Sequence, residues 1–431
     1  MNDELKQYMK QNTISQKHSA PSLSGKAGGE SSFILLFLCL FFLTTPCWAD
    51  DEGDRENTFN PVQFSVVSMS IAPDARGGGM GDVGGATEAD VNSQYWNPAK
   101  YPFCVGRAGI AASYTPWLRK LVNDINLANL AGFYRIGDYS AISGSLRYFS
   151  LGDVSFWSDE MAGGGTVGAT EGMTIRPYEM AIDVAYSRML SETFSMAVGM
   201  RYILSDIQFD YTAESSPGTA FAADIAMYYN NYLMLGNREC GLGLGLNISN
   251  IGSKISYGGT DNAEFIPTNM RLGLNLTIPF DEYNRFSIAA DANKYLVPTY
   301  PMQEPDELDN DYIDRCQRDY YDLSPIAGIY KSFHDAPNGF KEELQEIQWS
   351  LGCEYSYNDR FFLRAGYHDE HANKGNRKYV TVGAGFKMNV FSLDASYVIS
   401  TAQSNPLDQT MRFTLGFDVD GIYDLFGKRR R

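Results

Sequence analysis

Met411-Arg412-Phe413-Thr414-Leu415-Gly416-Phe417-Asp418 carries an apolar side chain at every second position, with Arg, Thr, Gly and Asp between them. A period of two sends alternate side chains to opposite faces of a strand, so this stretch is β-structure with one apolar and one polar face. Phe391–Tyr397, Leu351–Tyr357 and Leu242–Ile248 repeat the pattern. Fourteen such segments are expected. The first lies near Cys104–Tyr114, and the rest begin near Ala128, Ala141, Glu179, Phe194, Phe221, Gly241, Met270, Arg285, Ile347, Arg360, Tyr379, Phe391 and Met411. No helical layer alternates with them to cover the apolar face. The reading is all-β: a 14-stranded antiparallel transmembrane β-barrel with apolar side chains toward lipid and polar ones inward.

The connections support this. Gly137-Asp138, Ser191-Glu192, Gly236-Asn237-Arg238, Asp281-Glu282-Tyr283, Asn358-Asp359 and Asn389-Val390 read as tight turns. Long linkers at 115–125, 152–177, 206–219, 252–268, 297–344, 369–377 and 401–408 alternate with them. Short periplasmic turns and longer outer loops are the habit of outer-membrane barrels, and an even strand number puts both barrel ends in the periplasm.

Of 431 residues, 44% are hydrophobic, and mean hydropathy is −0.28. That excludes a bundle of membrane helices and suits strands that are half apolar. The one long apolar run, Phe33–Leu43, is short for a span. With Ala49 before Asp50 it reads as a signal peptide over 1–49. Four lysines and three acids leave with it, a net of +1, so −17 becomes −18. Such acidity argues against nucleic acid as a partner. Glu304–Asp322 alone holds eight carboxylates against two arginines. Without the glycine and closing glutamate of a calcium loop, it reads as a solvated outer loop. Cys104, Cys240, Cys316 and Cys353 remain after the leader, at spacings that suggest neither a disulfide nor a metal site.

Residues 50–103 precede the first clean strand and are broken by Pro73, Pro98, Pro102 and a run of glycines from Gly77 to Gly85. They form an N-terminal periplasmic or plug segment, since irregular backbone survives at membrane depth only when protein encloses it. The barrel is expected over 104–420 and a basic tail over 421–431. Gly79-Met-Gly-Asp-Val-Gly84 matches a dinucleotide fingerprint, but strands rather than a βαβ unit surround it.

Ile71–Asp82 (IAPDARGGGMGD) and Gln94–Lys100 (QYWNPAK) resemble the plug, or hatch, region of FadL-like outer-membrane barrels. More narrowly, with Tyr114–Asn126, Arg412–Phe417 and Gly421–Phe426, the chain resembles the PorV (LptO) family of the type IX secretion system. The resemblance runs from about residue 62 to the end. It makes Pro73, Asp74, Arg76, Gly78, Gly81, Asp82, Asn97 and Pro98 the plug motif. It implies a non-enzymatic protein of the outer membrane. Such a protein takes cargo by its C-terminal signal domain from the type IX translocon barrel and passes it to a sortase-like attachment complex. The chain departs from the pattern in ending Gly-Lys-Arg-Arg-Arg431 rather than in a strand-terminal aromatic residue. The alternative is a FadL-type channel for hydrophobic small molecules; the polar plug, with Asp74, Arg76, Asp82, Glu88 and Asp90, argues against it. A third class is a lipopolysaccharide-modifying hydrolase.

Candidate partner-binding residues lie in two outer loops. Trp117, Leu118, Leu121, Val122 and Ile125 fall at spacings that group them on one side of a short helix, poised for outer-membrane lipid, a partner or the barrel mouth. Phe156 and Trp157, with Met161 and Met173, suit a protein interface. Beyond the leader only His334, His368 and His371 remain. His368 at a strand end has no serine near it in sequence, and His368–His371 sits in a charged loop. No catalytic residue, metal or cofactor is expected.

Overall fold

The computed structural model describes residues 59–419 and 421, except 120, 121, 123, 157–172, 208–215, 259–261, 305 and 402–406. The expected signal peptide, the tail beyond Gly421, Leu121, Trp157 and Met161 therefore lie outside the described residues. Sixteen strands follow in order: β1 Ala108–Pro116, β2 Asn126–Ile136, β3 Ser140–Ser150, β4 Val154–Phe156, β5 Met173–Ile175, β6 Tyr178–Met189, β7 Phe194–Asp206, β8 Gly218–Leu235, β9 Arg238–Gly252, β10 Asn269–Pro279, β11 Asn284–Tyr295, β12 Gln348–Tyr357, β13 Phe361–Asp369, β14 Lys378–Lys387, β15 Phe391–Ser400 and β16 Met411–Asp418. All but β4 and β5 join in sequence order into one closed antiparallel barrel of fourteen strands. The seam pairs β1 with β16, Gly109 opposite Asp418 and Tyr114 opposite Phe413. β4 and β5 form a separate two-stranded ribbon inside the third connection.

Alternation decides which face is which. On β12, Trp349, Leu351 and Tyr355 are exposed while Ser350, Glu354 and Ser356 are buried. On β16, Phe413, Leu415 and Phe417 are exposed while Arg412 and Thr414 are buried. A soluble sheet does the reverse; here the apolar face is the outer wall. Exposed aromatics gather near both ends: Tyr134, Tyr186 and Phe361 at the tight-turn end, Tyr114, Tyr148 and Trp349 at the other. Such girdles sit at the two membrane interfaces. Cys353 lies on this outer register.

The turns follow hairpin chemistry. Asn358 and Asp359 both take positive φ, 54° and 52°, and the Arg360 amide donates to the Tyr357 carbonyl at 3.1 Å. Two left-handed central residues make a type I′ turn, whose twist matches the strands. β8 and β9 run past their neighbours: β7 pairs no farther along β8 than Tyr229, leaving 230–235 in a hairpin that projects from the tight-turn end.

Three expectations change. The first strand starts at Ala108 rather than Cys104, because Pro98–Phe103 is a 3-10 helix capped by Cys104. The solvated loop before β12 is largely helical, over Asp309–Cys316, Gln317–Tyr321, Pro325–Lys331 and Phe340–Gln345. Ser324 caps the third of these by accepting from the Ala327 amide, with Pro325 at its first position. The third connection is also not all loop, since β4 and β5 lie within it.

Candidate functional site

Residues 67–107 run along the inner face of the barrel wall. Polar side chains on the inner register need partners, and this segment supplies them. Asp74 accepts from the Gly77 amide at 2.8 Å, starting the helix Ala75–Gly79, and from Trp96 Nε1 at 2.6 Å. Arg76 places Nε and Nη2 on the Glu354 carboxylate at 3.2 and 3.1 Å, and Nη1 on Asp90 at 2.9 Å. Glu354 also receives Arg364 Nε at 2.6 Å, and Arg364 reaches Asp394 at 2.5 Å. Asp82 accepts from Arg412 Nη1 at 2.8 Å and from the Tyr379 hydroxyl at 2.6 Å. Asp291 Oδ2 accepts the Gly84 and Gly85 amides at 2.9 and 2.8 Å. Asn97 donates to the Gly85 and Met227 carbonyls at 3.1 and 2.9 Å and caps Pro98–Phe103 through the Ala99 amide. Arg201 lies between Asp183 and Asp224, at 3.4 and 2.9 Å.

All eight motif residues are thus in one place. Pro73 is buried beside Asp74, Pro98 opens its helix, and Gly78 lies where a Cβ would come within 2.3 Å of Arg412 Nη1. Sequence reasoning missed the strand residues opposite: Glu354, Arg364, Arg412, Asp291 and Tyr379. It also missed a row of inward glycines. A Cβ on Gly366 would sit 2.1 Å from the Gly81 amide nitrogen, and one on Gly245 would sit 2.1 Å from the Gly85 carbonyl oxygen. The wall has no side chain where the segment's backbone touches it. Their signal was glycine at inward positions of strands, where a polar residue is the usual occupant.

Among the described residues, one small polar cavity of about 40 Å³ is lined by residues that include Asp82, Arg271, Tyr295, His368, Arg377 and Tyr379. A water needs roughly 10–15 Å³ on this measure, so it admits a few waters and no lipid chain. Ser350 Oγ lies 2.8 Å from His368 Nδ1, across the β12–β13 ladder. The serine absent from the local sequence is therefore supplied by the neighbouring strand. Both residues are buried, at 3% and 5% exposure, and His368 stacks on Tyr379 with ring centres 4.8 Å apart. The pair holds the wall together.

The outer rim is built over 296–347. Lys294 Nζ meets Glu343 at 2.9 Å and Glu346 at 2.5 Å, and Lys374 Nζ meets Glu342 at 2.5 Å and Glu346 at 3.0 Å. Three carboxylates at the end of this loop thus tie helix Phe340–Gln345 to β11 and to the 370–377 loop. Lys254 Nζ donates to the Tyr320 and Tyr321 carbonyls at 2.8 and 2.9 Å and sits 3.9 Å from the Phe265 ring centre. Burial beside Glu343 and Glu346 pushes the Asp335 carboxyl up to about 6, against the Thr299 amide that favours its charge. The hydrogen bond from Arg315 holds Glu307 down at about 2.

The predicted rim residues divide. Trp117 and Ile125 pack against Ile71, Leu127 and Phe149, folding the first loop onto the mouth. Leu118 takes a left-handed φ of 50°, and its carbonyl accepts from the Val122 amide at 3.0 Å. Val122 is 44% exposed. Phe156 lies on β4. The larger exposed apolar groups are elsewhere, on the helical loop: Leu308, Ile313, Ile326, Tyr330 and Leu344. Ile326 and Tyr330 are four apart and share a helix face.

A family described as type IX secretion system protein PorV matches residues 54–302. Among solved structures, the chain is similar to the toluene transporter TodX of Pseudomonas putida, at 10% identity over 84% of this chain and 99% of that one, with a TM-score of 0.46. It is also similar to the toluene transporter TbuX of Ralstonia pickettii, at 11% identity over 80% and 97%, TM-score 0.41. A FadL homologue of Pseudomonas aeruginosa is similar at 11% identity over 81% and 98%, TM-score 0.38. No curated protein matches the chain.

Proposed function

The chain belongs to the PorV family of the type IX secretion system, and on that premise we propose that it is an outer-membrane cargo receiver working at its rim. In this reading residues 67–107 plug the lumen. The outer loops hold the C-terminal signal domain of a cargo protein released by the translocon barrel, and the barrel carries it through the outer membrane to a sortase-like attachment complex. No covalent chemistry is assigned to the barrel itself.

The observation that carries the reading is the filled lumen. Paired charges of the segment and the wall occupy the interior around a polar cavity of about 40 Å³, and a partner on the outer side would meet the apolar groups of the outer loops. Ile326 and Tyr330, 65% and 72% exposed, join the first-loop residue Val122 as the docking candidates. Aromatic and aliphatic anchors on a charged rim suit a protein partner. The charged lining counts against a channel for hydrophobic small molecules, which needs an apolar path.

Deleting the gene tests this. Proteins with type IX signal domains should accumulate in the periplasm, and unchanged surface display would remove the proposal. A finer test combines I326D with Y330D. Binding of an isolated signal domain should weaken at least tenfold while the barrel still folds, and undiminished binding would clear that helix.

A further inference from the structure

The path of residues 59–107 has a direction that the strand count hides. β1 starts at the tight-turn end, and β16 ends there, opposite Gly109. Just before β1, the Cys104 carbonyl accepts from Arg135 Nη1 at 2.7 Å, near the tight-turn end of β2. Glu88 meets Arg285 at 3.3 Å, near the same end of β11. Going backward along the chain, contacts climb the wall. Gly81 and Asp82 meet Thr381, Tyr379 and Arg412, and the Ser68 amide donates to Glu179 at 3.0 Å, one residue from the long-loop end of β6.

Residues 60–65 then lie at the long-loop end of the barrel, mostly against loop residues, and Val66 sits just inside the mouth. The Asn60 amide donates to the Asn373 carbonyl at 2.8 Å, and the Ser65 amide to that of Phe265 at 2.9 Å. The Tyr320 hydroxyl donates to the Gln63 carbonyl at 3.1 Å. Phe64 packs at a tilt against Tyr295 at the end of β11, ring centres 4.7 Å apart, and Val62 and Phe64 pack with Phe265, Val297 and Tyr320. Val66, 2% exposed, is buried with Ile203, Ile255 and Ile266. Phe59 beyond them is 62% exposed.

We infer that the chain enters the barrel from the outer face: residues 59–65 form a strap over the mouth, and the polypeptide crosses once, inside the lumen, before β1. Fourteen wall crossings return the chain to the side it left; one more inside the barrel puts its two ends on opposite sides. The strap touches three separate loops, 253–268, 296–347 and 370–377, and so latches them into one cover over the mouth. The expectation of a periplasmic or plug segment over 50–103 is thereby extended by a stretch on the outer side.

The inference rests on the outer-membrane reading for which side is outside, and the experiment separates the two. Single cysteines replace Phe59, Ile313 (outer helical loop, 60% exposed) and Tyr139 (tight turn, 63% exposed). The native Cys104, Cys240 and Cys316 are buried, and Cys353 faces the lipid, which keeps background low. Intact cells are treated with a membrane-impermeant maleimide. The expected result is that F59C and I313C react and Y139C reacts only after permeabilisation. If I313C reacts and F59C behaves like Y139C, the strap is refuted. If Y139C reacts and I313C does not, the orientation falls and the inference with it.

The latch has its own readout. A72C lines the inner cavity. Adding F64A, or the harsher V66D, should raise its labelling rate from outside at least tenfold in barrels that keep folded mobility on unheated gels. An unchanged rate in folded F64A would refute the latch.

Discussion

Replacing Arg76 by Met tests whether charge pairing holds the lumen segment in place. Arg76 and Arg364 stand among three carboxylates, Glu354, Asp90 and Asp394. R76M leaves one guanidinium for three carboxylates, with Glu354 6% exposed at its side chain. Stranding one member of a buried pair costs about 3–5 kcal/mol. E354Q is different: it leaves two guanidiniums for two carboxylates and keeps an amide oxygen for hydrogen bonding. Its cost should be about 1–2 kcal/mol, a hydrogen-bond rather than a charge penalty. In the double variant the two losses should fall short of additive by about 1–3 kcal/mol, because both remove one contact. The assay is denaturant unfolding of the barrel in lipid vesicles, followed by tryptophan fluorescence, which reads Trp96 in the segment itself. An R76M loss below about 1 kcal/mol, or strict additivity, would show that backbone packing holds the segment without the ion pairs.

Other perturbations probe the rim and the wall. G366V should abolish the folded, unheated gel species, since a side chain there meets the Met80–Gly81 backbone; G137A, where space is open and the cost is only the positive φ of 66°, about 1 kcal/mol, should keep that species. K254M frees the Tyr320 and Tyr321 carbonyls from a charged donor, worth about 2 kcal/mol locally; proteolysis within 309–331 should accelerate while barrel unfolding stays unchanged. Asp335, with its folded pKa raised to about 6 from 3.8, binds its proton more tightly folded than unfolded. Its contribution is fully favourable below pH 3.8 and is lost as pH rises to about 6. A spin label at Ile326 should grow more mobile across that window, and D335N should flatten the response.

The strands were legible because lipid imposes a strict two-residue period on every one of them, and their starts fall within about four residues of the periodic reading. Tight turns were legible for the same local reason, as Asn358-Asp359 shows. What depended on distant pairs was not. Ser350 and His368 meet only through the β12–β13 register, which puts them directly opposite. The helices of 309–345 are short and held by Lys254, Lys294 and Lys374 from other elements, so intrinsic propensity gives little warning of them. The motif around Asp74 and Asn97 could be read as enclosed irregular backbone, yet its direction of travel could not. That direction is written in Asn60 bonding to Asn373, 313 positions away in sequence. For the rim, apolar spacing pointed to Trp117, and the structure turns that residue inward on Ile71. Spacing identifies an apolar group without saying which apolar surface claims it.

The energetics of the lumen also bear on where work can be done. Opening a path past the segment requires separating at least Arg76 from Glu354 and Arg412 from Asp82. Each separation would leave a buried charge without its partner, a state that costs about 3–5 kcal/mol when one partner is deleted, so the open form lies several kcal/mol above the closed one. A factor of ten in population corresponds to about 1.4 kcal/mol, so open barrels would be rare at any moment. The outer face, by contrast, is presented by every molecule, and its loops are joined by ion pairs near the water boundary. A passive solute route through the interior would therefore need a partner to supply that free energy by binding the open state better. A cargo-binding surface on the rim needs no such supply, and substitutions in the lumen would reach it through the strap that joins the segment to the rim loops.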